Sequence, residues 1–157
     1  MASKETLGAV FNTVGNFSLE TFDDRLIIQK TVYMLQAFGL NIGYHFSWYL
    51  KGPYSTGLTT DAYNLQSEQP QCLEMSLRFP NREVEDAFNK YMEFMSDKRN
   101  DAHRLEIIAS VHYLKKQYPK MSNEEILNKL RETPSKASIT LEEVNAASSE
   151  LEHYNLF

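Results

Sequence analysis

Few side chains in this sequence are spaced for bond-making chemistry, and each falls short of what that chemistry requires. The four histidines, His45, His103, His112 and His153, are scattered along the chain. None belongs to an HExxH pattern, in which two histidines one helical turn apart hold zinc and the glutamate activates water. Asp101 and His103 stand two positions apart, which on a helix places them on different faces. Cys72 is the single cysteine, so an intrachain disulfide and a cysteine-rich zinc site are both excluded. Ser47 and Ser55 lack the G-x-S-x-G turn that exposes a nucleophilic hydroxyl, and no glycine-rich phosphate loop is present. The expectation is therefore a protein that is not an enzyme, with no catalytic residue, no metal and no cofactor assigned.

Binding chemistry is better represented. Tyr44, Phe46, Trp48, Tyr49 and Tyr54 crowd one short stretch, with Tyr63 close behind. From Tyr44 to Lys51 large and polar residues alternate, which predicts an extended segment with Tyr44, Phe46, Trp48 and Leu50 inward. His45, Ser47, Tyr49 and Lys51 then point outward, and the Gly52-Pro53 pair ends the segment as a turn. The inward aromatics fill core. Exposed aromatics flanked by polar groups are typical of contact hot spots. The candidate partner-binding residues are accordingly Tyr49, Lys51, Gly52, Pro53, Tyr54 and Ser55.

One polar pair, Gln29-Lys30, lies inside the most apolar helical stretch. Either the lysine stem carries its ammonium to the surface, or the charge is buried and paired. Glu106, set in the apolar run LEIIASV, is then the expected partner.

The elements that must position these residues read as helices. Leu7, Val10, Phe11 and Val14 follow the i, i+3, i+4, i+7 rule and predict a first helix from about Lys4 to Val14. A second begins at Thr21, with Asp24 completing a capping box, and runs to Phe38 before Gly39. Ser55 caps a third through about Gln66, and Asn81 a fourth through Ser96. A fifth spans Asp101 to Tyr118, and Ser122/Glu125 and Thr140/Glu143 open the last two. Residues 67–80 are left as a strand or an extended strap. The fold class is all-α or nearly so, a helical bundle with helix-turn-helix-like units and one short extended aromatic segment. A length of 157 residues suits one domain over residues 1–157, with residues 1–18 either docked on the core through that apolar face or forming a loosely docked segment.

Composition narrows the partners. A formal net charge of −5 disfavours nucleic acid. The helix expected after Thr140 carries Glu142, Glu143, Glu150 and Glu152 and no Lys or Arg, so it is not a reader of DNA. No apolar run approaches the ~20 residues of a membrane span, and no secretory signal is visible at the start. The expected setting is the cytoplasm and the expected partner a protein.

The phrases QKTVYMLQAFG, FSWYLKGPYS and TDAYNL, with RLEIIASVHYLKK, SNEEILNKLRETPS and ITLEEVNAASSELEHYNLF further on, resemble the YwgA-like proteins and, more distantly, the Panacea domain of SocA-type antitoxins. The resemblance spans roughly Arg25 to Phe157. It implies a small helical domain in which the aromatic segment lies beside the central helix. It also implies a place in bacterial or archaeal conflict or mobile-element systems, where antitoxin members bind and neutralise toxins. The leading expectation is a non-enzymatic, antitoxin-like protein-interaction module. The alternatives are a DNA-binding helix-turn-helix regulator, using Lys30, Lys51 and the Thr56–Thr60 region against phosphates, and a small hydrolase with an unrecognised site.

Overall fold

Two helices with almost no polar face set the architecture. α2 (Phe22–Ala37) buries every residue from Leu26 to Leu35, and α5 (Ala102–Gln117) buries Leu105 to His112 without interruption. A helix apolar all round has to be covered on all sides. The computed structural model, which describes residues 4–15, 17–68, 77–133 and 136–157, packs these two helices against each other at the centre.

The other elements cover them. α1 (Lys4–Val14) packs on α3 (Thr56–Glu68), and α4 (Arg82–Met95) packs on α2. α6 (Asn123–Arg131) and α7 (Leu141–His153) pack on each other, and α7 also lies along α5. The buried apolar residues form a single cluster running from Leu7 to Leu156. The fold is thus mostly α, as expected. Among the described residues the only sheet is a two-stranded hairpin.

Local chemistry explains the helix limits. Thr21, Ser122 and Thr140 each cap with their hydroxyl, and Asp24, Glu125 and Glu143 return the bond to the cap backbone. Such reciprocal bonds satisfy N–H groups that have no partner within the helix. Asn81, Asp101 and Ser55 cap α4, α5 and α3 on the expected residues. Past α2, Gly39 turns the chain at φ +110°, a region that favours glycine.

Three expectations need correction. The first is the loose docking of residues 1–18: Leu7, Val10, Phe11 and Val14 are all buried, and Arg99 donates to the carbonyl of Val14 at 3.1 Å. The second is the turn. β1 (Ser47–Tyr49) pairs antiparallel with β2 (Gly52–Tyr54), with Trp48 opposite Pro53, so the reversal falls at Leu50-Lys51 and the Gly-Pro pair lies inside a strand. The third is Leu50, expected inward but 60% exposed because it sits at the tip of that reversal. Alternation holds from Tyr44 to Tyr49 and ends where the strand does. Of the strap expected over 67–80, Ser67 and Glu68 close α3, residues 69–76 lie outside the described residues, and Leu77 to Pro80 are irregular.

Candidate functional site

The hairpin is fixed to the helical core by a buried polar junction. Gln29 accepts from the Ser55 N–H at 2.9 Å and donates to the Ser55 carbonyl at 3.0 Å, so its amide reads that backbone in both directions. Its neighbour Lys30, 1% exposed, donates to the carbonyl of Pro53 at 2.7 Å. Of the two readings for Lys30 the buried one holds in part: the ammonium does not reach the surface and Glu106 supports its charge, but its hydrogen-bond partner is a carbonyl rather than Glu106. Glu106 instead faces Lys136, with Oε2 and Nζ 3.7 Å apart. Lys136 is also buried, and its Nζ lies 4.9 Å from the centre of the Trp48 ring, a cation–π distance.

Two cations and one carboxylate so close together in the interior disfavour full protonation. Burial pushes the Lys30 amine down to about 7; the Glu106 carboxylate partly restores it, and Lys136 opposes it further. Lys136 is lowered too, again mainly by burial. Gly52 belongs to the same junction. Its φ is +93°, and a Cβ placed there would lie 2.4 Å from Ser110 Oγ. A side chain at this position meets both backbone strain and a steric clash.

Beside this junction the hairpin tip, α2 and α3 enclose a cleft of about 640 Å³. Its walls are Leu19, Leu26, Ile28 and Ala62, and its rim is Phe22, Tyr49, Leu50 and Tyr63, all of them exposed by 46–60%. Tyr49 and Tyr54 lie with ring centres 5.5 Å apart, and the Tyr54 hydroxyl bonds Thr59 at 2.7 Å. The Lys51 ammonium stands 5.9 Å over the Phe22 ring. Lys51 and Arg25 line the cleft, and Arg25 is steadied by the Leu19 carbonyl at 2.9 Å.

Of the candidate partner-binding residues, Tyr49, Lys51 and Tyr54 converge on this cleft. Gly52, Pro53 and Ser55 are buried and hold the hairpin in place instead of presenting it. Phe22, Leu50 and Tyr63 are not among those candidates, although each belongs to the site. The readable signal at Phe22 was its position directly after the Thr21 cap, on the first turn of α2 and ahead of the buried run. Tyr63 is exposed on α3, whereas Ala62 and Leu65 are buried.

Other polar side chains make contacts away from the cleft. His112 accepts from the Tyr33 hydroxyl at Nδ1 (2.7 Å) and donates from Nε2 to the Leu156 carbonyl (3.1 Å), a tautomer fixed because a carbonyl only accepts. Burial drives the His112 imidazole down to about 4. His103 pairs with Glu143 at the surface. Lys98, buried over the Phe94 ring, joins Asp97, Glu150 and Arg104 in a network tying α4, α5 and α7 together. No three His, Cys, Asp or Glu residues cluster at metal-binding distance among the described residues.

Comparison of the chain with models of known protein families, with curated proteins and with solved structures finds no match. The class defined by fold and site is a mostly α-helical protein with an apolar cleft beside a two-stranded hairpin. Among the described residues no helix is long and apolar enough to cross a membrane.

Proposed function

We propose that this chain is a non-enzymatic protein-interaction module, antitoxin-like as the resemblance implies, that receives its partner in the cleft beside the hairpin. The observation that carries this reading is the set of four large apolar side chains, Phe22, Tyr49, Leu50 and Tyr63, left in water around one concave apolar site. Scattered exposed apolar residues need no explanation, but a contiguous patch around a cleft does. Aromatics presented on a hairpin whose base is clamped at Lys30 and Gln29 lose little freedom on binding, which favours affinity.

The DNA-binding alternative loses one of its residues, since Lys30 is buried and turned to Pro53. No arrangement of the described side chains supports the hydrolase alternative over the binding reading.

The test compares wild type with the double variant Tyr49→Ala, Leu50→Ala as bait in the native host. The expected result is one partner retained at near-stoichiometric yield by wild type and lost by the variant, with an unchanged melting temperature. Truncating aromatic hot spots weakens binding by about 2 kcal/mol or more. Equal retention by both baits would place the partner surface elsewhere.

A further inference from the structure

Although the whole chain carries a net charge of −5, the charged residues lining the cleft among the described residues are Arg25, Lys30 and Lys51, with no carboxylate beside them in that lining. None of the three forms an ion pair with a carboxylate among the described residues: Arg25 is held by main-chain carbonyls, Lys30 by Pro53, and Lys51 stands over the Phe22 ring. Apolar walls with the Arg25 and Lys51 cations beside them select a ligand of matching pattern, because opposite potentials steer and register a partner while like charges exclude it.

From this we infer that the cleft takes an acidic, apolar peptide segment of a partner protein: large apolar side chains fill the cavity and an Asp or Glu beside them meets Lys51 and Arg25. This rests on the reading of the cleft as a partner surface. The rim argues for a polypeptide over a small amphiphile. Phe22, Tyr49, Leu50 and Tyr63 stay 46–60% exposed around the cavity, an apolar rim that a segment continuing past the cavity covers.

The experiment is selection of a displayed library of random short peptides on the intact chain, followed by binding measurements with the enriched peptides. Enrichment of Leu, Phe or Trp together with Asp or Glu is expected. Binding should weaken with added salt, as screened charges require, and should fall about tenfold in Lys51→Glu. A peptide with Lys in place of its acid should prefer Lys51→Glu to wild type, a reversal that a damaged fold does not produce. Arg25→Gln provides the second variant, its melting temperature checked first.

Uncharged or basic consensus peptides that are displaced by Leu50→Ala would overturn the acidic preference while leaving the partner-surface reading intact. Failure to enrich any peptide sensitive to Leu50→Ala, or stoichiometric binding of dodecanoate in the cleft without peptide binding, would overturn both.

Discussion

The Lys30 ammonium donates to the Pro53 carbonyl at 2.7 Å, joining the middle of the central helix to the second strand of the hairpin. Proline supplies no backbone N–H, so within a strand it offers the lysine an acceptor without presenting a donor of its own. The buried cation thus holds the aromatic tip over the cleft, and its burial has a measurable consequence.

Lys30 titrates near 7 in the folded chain and at the ordinary 10.5 once unfolded. Between these values the unfolded state binds more protons, so stability rises with pH in that window. The lowered Lys136 adds in the same sense. The expected gain from Lys30 is about 2 kcal/mol between pH ~7 and ~9, and urea titrations at the two pH values measure it. Lys30→Met should flatten most of the rise; an undiminished slope would show that Lys30 is not its source.

Acid acts through a different residue. His112 is held neutral, its value depressed from 6.5 to about 4, so the unfolded state takes up the proton first as pH falls. Stability is lost on acidification through that range, by about 2 kcal/mol between pH ~7 and ~5. His112→Gln should be less stable at neutral pH and yet lose much less on going to pH ~5, as followed by chemical denaturation.

Gly52→Ala should cost about 1–3 kcal/mol, because a left-handed backbone and a crowded Cβ coincide there. Adding Ser110→Ala removes the 2.4 Å approach and leaves the strain. The double variant should then recover part of the loss, and a double-mutant cycle reads the difference. Strict additivity would mean that the contact contributes nothing.

Trp48 is half-buried, stacked on Tyr113 at 5.6 Å, and it shields the Lys136 ammonium. Trp48→Ala should cost about 2–3 kcal/mol, below the ~3–5 of a fully buried aromatic. Thermal unfolding followed by circular dichroism measures it, since the substitution removes the chain's one tryptophan.

What the sequence determined on its own is local. The bonds of Thr21 to Asp24, Ser122 to Glu125 and Thr140 to Glu143 close within three residues, so the helix starts were legible from residue types alone. The predominantly apolar stretches Leu26–Leu35 and Leu105–Val111 likewise announced the two central helices. Tertiary structure decided the rest. Whether Lys30 met water, Glu106 or a carbonyl depended on which backbone came within 3 Å of it across 23 residues of chain. Gly52, the first residue after the reversal, fits against Ser110 on α5, a contact that no local pattern records. The cleft gathers the start of α2, the hairpin tip and one face of α3. No periodicity in one segment records which side chains another segment will leave uncovered.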